Sequence, residues 1–267
     1  MDPHATPPVL LQLYAKLEEL VSLMPAEYQV KIKQIPPEIL LSSIILVAVF
    51  FLLLVLRALS RPSKSTLPPV LLVGPCGAGK TALFFALRDA SLHNGTVASM
   101  QENEGMVQLQ GEKGSKKGQA RLLDVPGHER LRHKLEQHLS DACAVVFVVD
   151  ATDITPHKVE AAEELFEVLT HPNIARRRVP ILLACNKMDL ETQAHSVDFV
   201  RRTIEKQLDT MRKTRTSLSP EAAAKASVLG PASKPLTLAG LRNPVTVAGV
   251  SAKGDLQELH SFLSAKR

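Results

Sequence analysis

Hydrophobic and polar positions are distributed along this chain in two different ways. Residues 39–56 carry no charge, and their apolar side chains cover the whole circumference of a helix instead of one stripe, the pattern of a segment meant for nonpolar surroundings on all sides. A helix over this run would be about 27 Å long at roughly 1.5 Å per residue. That matches the hydrocarbon thickness of a thin bilayer, about 27 Å. From Pro69 onward, short apolar runs alternate with stretches of helical period. Residues 70–73, 121–125, 144–150, 181–185 and 245–250 read as strands, and 81–88, 131–139, 159–169 and 197–211 as helices. Strands that are apolar throughout and spaced by helices predict an α/β fold: a mostly parallel sheet with helices on both faces, preceded by one N-terminal transmembrane helix. Ligands of such sheets sit at the carboxyl ends of the strands.

Four regions follow. Residues 1–38 form a tail in which Leu10, Leu13, Leu17, Leu20 and Met24 recur at helical spacing up to Pro25. This amphipathic helix lies on a membrane face or is a weakly ordered tail, and the pattern leaves both open. Residues 39–56 are the span and 57–68 a basic neck, and 69–267 the main domain. Within that domain, 212–243 is rich in Ser, Thr, Ala, Pro and Lys and is expected as a flexible surface insertion, with a helix over 220–226 left open. Its positive charge suits a solvated linker better than a lipid-binding patch.

Charge orients the span. Arg57, Arg61 and Lys64 follow it with no acid nearby, whereas the tail holds Lys16, Lys31 and Lys33 against Asp2, Glu18, Glu19, Glu27 and Glu38. The positive-inside rule places the C-terminal domain in the cytosol and the N-terminus in the lumen. Three cysteines, Cys76, Cys143 and Cys185, make no disulfide framework and fit a reducing compartment. The net charge of +5 and pI of about 9.1 are mild, and without aromatic-interleaved basic runs they predict no direct nucleic-acid binding.

The chemistry sits at the predicted strand ends. Gly74, Pro75, Cys76, Gly77, Ala78, Gly79, Lys80 and Thr81 fit the phosphate-binding loop G-x-x-x-x-G-K-[ST], with Ala82 opening the helix behind it. The glycines let backbone N–H groups turn toward phosphate oxygens, Lys80 reaches the β- and γ-phosphates, and the Thr81 hydroxyl suits Mg²⁺. Ala82 stands where a C-x₅-R phosphatase loop needs arginine, which excludes that reading of Cys76. Asp124-Val125-Pro126-Gly127 ends the second strand as D-x-x-G, with Asp124 suited to hold Mg²⁺ through water and Gly127 to offer its N–H to a γ-phosphate. Asn186-Lys187-Met188-Asp189 is an N-K-x-D guanine reader: the Asp189 carboxylate accepts from N1–H and the exocyclic amine, neither of which adenine offers there. Lys187 would pack along the base. Ser251-Ala252-Lys253 follows the last strand and would supply a backbone N–H to the guanine carbonyl. GTP or GDP with Mg²⁺ is the expected ligand, and Asp189 argues against an ATP-dependent kinase.

These four motifs, in this order, resemble those of the small GTPases, which implies their P-loop fold with a mostly parallel, six-stranded sheet. With the span, neck and cytosolic domain, the chain resembles the signal recognition particle receptor β subunits, a family similar to the Arf branch but with a span in place of a lipid. The resemblance covers about 69–267 for the GTPase and the rest for the membrane arrangement. It implies a GTP switch at the endoplasmic reticulum membrane that recruits the receptor α subunit, and through it ribosomes and the translocon indirectly. It also implies slow or partner-controlled hydrolysis. Asn94-Gly95-Thr96-Val97-Ala98-Ser99 resembles the Arf switch pattern T-I-P-T, which places Ser99 at the Mg²⁺-binding hydroxyl, with Thr96 the alternative. His128 resembles the variant of translation-type GTPases that orients the attacking water. A permanently GTP-bound membrane scaffold and an Arf-like vesicle-trafficking GTPase are the competing functions.

Overall fold

The computed structural model describes residues 36–59, 67–89, 101–110, 116–127, 132–254 and 256–265, together with Lys16 and Glu19. The chain divides into two units, Met1–Lys64 and Ser65–Arg267.

In the first unit, α1 spans Pro37–Leu59, 23 residues, and contains the whole apolar run. The Ser42 hydroxyl donates to Ile39 O at 2.9 Å, so this hydroxyl is satisfied within the helix. Leu46, Val49, Phe50, Phe51 and Leu54 are all exposed. Among the described residues no helix is long and apolar enough to cross a membrane. The side chains at 37, 38, 40, 41, 44, 45 and 56–59 lie outside the described residues. Most of the 1–38 tail and of the neck also lies outside them.

The second unit is built on one sheet. Its strands are β1 (Val70–Val73), β2 (Asn103–Gln110), β3 (Lys116–Asp124), β4 (Ala144–Asp150), β5 (Ile181–Asn186) and β6 (Val245–Gly249), in the order β2-β3-β1-β4-β5-β6. All neighbours are parallel except β2 and β3. Helices α2 (Lys80–Asp89), α3 (Arg132–Leu139), α4 (Ile154–Thr170), α5 (Pro172–Arg177), α6 (Val197–Thr216), α7 (Pro220–Ser227) and α8 (Gln257–Ala265) complete the unit. The two-residue period of a strand divides the core. Leu71, Val73, Val145, Phe147, Val149, Leu183 and Cys185 face one side with Leu165, Phe166 and Ile204. Val70, Leu72, Val146, Val148, Leu182 and Ala184 face the other with Leu83, Phe84, Leu259 and Phe262.

Two expectations change. The strand expected over 121–125 begins earlier, at Lys116, and pairs antiparallel with β2, whose register sets Asn103 opposite Asp124. The half-polar text of 103–110 lacks the continuous apolar run of a central strand because β2 is an edge. The 212–243 stretch, expected as a surface loop, is structured in place. Helix α6 extends to Thr216, and Ser219 caps α7 by accepting from Ala222 N at 3.1 Å. Arg212, only 2% exposed, donates to Leu229 O at 3.4 Å and to Lys234 O at 2.5 Å, and also pairs with Asp209. Leu229, Leu236 and Leu238 are buried as well, and the Asn243 amide donates to Ile174 O and Val179 O. The basic charge is likewise used internally, since Arg215 and Lys225 both bind Glu167. These two pairs outweigh the burial that pushes the Glu167 carboxyl up, and they hold it below the ordinary value.

Candidate functional site

Parallel β1, β3, β4, β5 and β6 all point their carboxyl ends the same way, and each predicted motif that the structure describes lies at such an end. The loop Gly74–Thr81 runs from β1 into α2. Its geometry needs glycine. Gly74, Gly77 and Gly79 have φ of 139°, 79° and 88°, the left-handed region that side chains disfavour. A Cβ on Gly74 would fall 2.1 Å from Val148 O, and one on Gly79 would fall 2.3 Å from Asn186 Nδ2.

Lys80 is 6% exposed, and its ammonium donates to Gly74 O at 2.7 Å and Pro75 O at 2.8 Å. Burial lowers its pKa from the ordinary value, opposed by the charges of Glu164, Asp124 and others. Gly127 lies against the loop: a Cβ there would fall 2.4 Å from Gly74 O, 2.6 Å from Lys80 Nζ and 3.0 Å from Cys76 N. Only glycine lets the D-x-x-G turn approach the loop this closely.

Asp124 is the last residue of β3 and 1% exposed. Its Oδ2 accepts from the Thr81 hydroxyl at 2.7 Å and from Asn103 Nδ2 at 3.0 Å, while Oδ1 is buried without a hydrogen-bond partner. A buried carboxylate oxygen without a partner, beside a threonine hydroxyl, is a hard-oxygen donor set that fits Mg²⁺.

The predicted base reader lies across β5 and β6. Asn186 ends β5 and donates from Nδ2 to Ala78 O at 2.8 Å, tying the reader to the phosphate loop. Lys187 takes the left-handed conformation, φ 66°, which costs about 1–2 kcal/mol. It reaches Asp150 Oδ2 at 2.5 Å. Asp150 also accepts from Thr152 N at 2.9 Å and Thr152 Oγ1 at 2.7 Å. Burial pushes the Asp150 carboxyl up, but these hydrogen bonds outweigh it and hold it below the ordinary value. Asp189 is exposed, and its Oδ1 accepts from the Ser251 hydroxyl at 2.7 Å; Ser251 Oγ in turn accepts from Lys253 N at 3.1 Å. Ala252 sits half-buried between them, and Ala82 is half-buried in the first turn of α2. A cavity of about 300 Å³ opens between the loop, Lys187 and the start of α4, lined by Pro75, Cys76, Gly77, Ala78, Asp150 and Lys187 and by Asp153, Ile154 and His157.

The fold thus brings together the loop, Asp124, Gly127, the Asn186–Asp189 reader and the Ser251–Lys253 turn. Thr96, Ser99 and His128 lie outside the described residues. Two neighbours were not singled out from the sequence. Asp150 ends an apolar strand as Asp124 does, a signal that could have found it. Asn103 reaches Asp124 only through the β2–β3 register, which the sequence does not print.

Residues 65–242 match the family model of the signal recognition particle receptor beta subunit. The chain belongs to this family. It is 34% identical over 238 residues to the human signal recognition particle receptor subunit beta, covering 84% of this chain and 86% of that one. The mouse counterpart is 32% identical over 247 residues, covering 88% and 89%. Among solved structures, the mammalian SRP receptor superposes with a TM-score of 0.62 at 31% identity, covering 74% of this chain and all of that one. The Arl6 small GTPase of Trypanosoma brucei, solved with the nucleotide analogue GppNp, shares the fold, with a TM-score of 0.51 and 20% identity over 75% of this chain and 96% of that one. The six-stranded, mostly parallel sheet of this receptor-subunit family is that of the small GTPases, which implies a guanine nucleotide as ligand.

Proposed function

We propose that this chain is a membrane-anchored GTP switch that recruits the α subunit of the signal recognition particle receptor to the endoplasmic reticulum for co-translational targeting. The observation that carries the nucleotide reading is the fastening of the N-K-x-D reader to the phosphate loop, Asn186 to Ala78 O at 2.8 Å across Gly79. It holds a base reader and a phosphate cradle at fixed separation. Asp189 accepts from the guanine edge, Lys187 lies along the base, and Ser251-Ala252-Lys253 presents a backbone N–H to the base carbonyl. The N–H groups from Gly74 to Thr81, together with the Lys80 ammonium, hold the phosphates. Thr81 and Asp124, with Ser99 or Thr96, hold Mg²⁺, which when bound neutralises phosphate charge. Gly127 donates its N–H to the γ-phosphate, and His128 orients water for a hydrolysis that is slow or controlled by a partner.

The span 39–56 is the anchor. Its apolar surface is exposed on every described side chain of the run apart from its two serines, a surface that water does not favour. The charges of Arg57, Arg61 and Lys64 leave the GTPase domain in the cytosol. Protease added to intact microsomes removes the domain from Pro69 onward and spares the tail; protection of the domain would refute the orientation.

The name of the family, a beta subunit, implies a second subunit. Its contact runs over 96–104 and 127–132, the segments that the γ-phosphate orders, so that a partner distinguishes GTP from GDP through their arrangement. Recovery of the α subunit on the full chain loaded with GDP or a non-hydrolysable GTP analogue tests this. Preferential recovery with the analogue is expected. Equal recovery in both states would favour a permanently loaded scaffold.

A further inference from the structure

The chain enters the second unit at the edge of the sheet opposite the nucleotide loops. Cys143 N donates to Pro69 O at 3.0 Å where β1 and β4 begin, Val145 N to Pro180 O at 3.0 Å before β5, and Ile181 N to Pro244 O at 2.9 Å before β6. The Cys143 thiol also donates to Pro68 O and Pro69 O, at 3.3 and 3.4 Å. These residues mark the amino ends of the parallel strands, and arginines gather there. Arg176, Arg177 and Arg178 run off the end of α5 into Val179 and Pro180, and Arg242 adjoins Asn243, whose amide donates to Val179 O at 2.9 Å. All four are exposed. Arg177 donates to Ser140 O at 3.1 Å, in the turn that leads to Cys143, and Arg176 to Asn173 Oδ1 at 3.4 Å. Among the described residues none of the four pairs with an acid; the acid in the turn is Asp141, also exposed. Positive charge at a helix C-terminus suits the helix dipole, which accounts for Arg176 and Arg177. It does not account for Arg178, which lies beyond α5 at φ 52°, where glycine or asparagine fits with less strain, nor for Arg242 on a separate segment.

We propose that this arginine face is a docking surface for anionic lipid headgroups of the bilayer that holds the span. The proposal rests on the anchoring reading above and adds an orientation to it. The ten residues from Leu59, the end of α1, to Pro69 span at most about 36 Å when fully extended, so the edge of the sheet that holds Pro69 stays within reach of the bilayer surface. Attraction to an anionic leaflet falls off within a Debye length, about 8 Å, and the tether lets the arginines come that close. A guanidinium pairs with phosphate and carboxylate oxygens through two parallel hydrogen bonds, which suits a headgroup. Nucleic acid offers phosphate as well, but the tether delivers this edge to a bilayer. Docking here turns the opposite edge, with Gly74–Thr81 and the Asn186–Asp189 reader, toward the cytosol and leaves it open to a partner.

The test places the full chain in nanodiscs of phosphatidylcholine, with or without phosphatidylserine, and reads backbone hydrogen exchange over 173–180 and 239–244. Exchange about fivefold slower in the anionic discs is expected, the factor that one basic residue gains near such a surface, and high salt should remove the difference. The triple variant Arg176→Gln, Arg177→Gln, Arg178→Gln should exchange alike in both discs. The corresponding triple change to lysine keeps the charge and should keep the protection. Arg242→Gln, which leaves the bonds to Ser140 and Asn173 intact, should weaken the protection in part and serves if the triple variant folds poorly. Equal exchange of the parent in both discs, protection that survives the neutral triple variant, or protection by duplex RNA with none by the anionic discs overturns the lipid surface and leaves the anchor standing. Failure of the parent chain to stay with the discs overturns the anchoring reading itself.

Discussion

The two ends of the candidate nucleotide site are built from different materials. At the base end the decisive contacts are made by side chains: Lys187 with Asp150, Asp189 with Ser251, Ser251 with the Lys253 N–H in the turn that follows β6. At the phosphate end they are made by backbone. Three glycines with positive φ shape the loop, Lys80 is held by two main-chain carbonyls, and Gly127 packs where no Cβ fits. Specificity written in side chains can be altered with the fold intact. A cradle written in backbone conformation cannot, because the same atoms belong to the sheet.

The largest expected effect tests that contrast directly. Gly74→Ala drives a Cβ to 2.1 Å from Val148 O, an atom locked by the pairing of Val73 with Phe147 in β4. Chemical denaturation should show a loss of about 3 kcal/mol or more in stability; a parental unfolding midpoint would show that the phosphate end is as separable as the base end. Next comes Asp189→Asn. Its melting temperature should stay parental while GTP affinity falls on the order of a hundredfold, as expected when a charged acceptor facing two donors is lost. Xanthosine triphosphate, whose carbonyl suits an amide donor, should bind better than GTP. Unchanged GTP binding would remove the N-K-x-D assignment.

Thr81→Asn sharpens the comparison within the phosphate end. Calorimetry should show Mg²⁺·GTP weakened about tenfold and GDP less, since the triphosphate state leans more on that metal ligand; equal losses count against the role. The smallest effect concerns the tie between Lys187 and Asp150. The Asp150 carboxyl is held below its ordinary value of 3.8, so its contribution is fully present above that pH and is lost as pH falls through the lower folded value. Asp150→Asn should therefore cost about 0.5 kcal/mol near neutrality and flatten the acid limb of the stability profile. An acid limb identical to the parent's would mean that the pair carries no net stability.

Much of this was legible before any coordinates. Strands buried on both faces cannot alternate with polar residues, so β1, β4 and β5 appear as unbroken apolar runs, and a chemistry-bearing residue at the end of such a run, Asp124 or Asn186, marks the ligand edge of the sheet. The phosphate loop and the base reader are local motifs, and local motifs survive in sequence. The apolar character of 39–56 is equally local.

What tertiary structure alone decided is non-local. Asn103 meets Asp124 through an antiparallel register on an edge strand whose half-polar text resembles a loop. The 212–243 stretch, polar and rich in small residues, is organised around one buried guanidinium, Arg212, that gathers carbonyls 17 and 22 residues away. Glu164 lies on a helix that looks ordinarily amphipathic and lines one cavity with Gly74 and Gly127 only because α4 packs against β4. Sequence periodicity reports which side of an element is buried. It does not report what that side is buried against, because that depends on which distant segments the sheet order sets beside it.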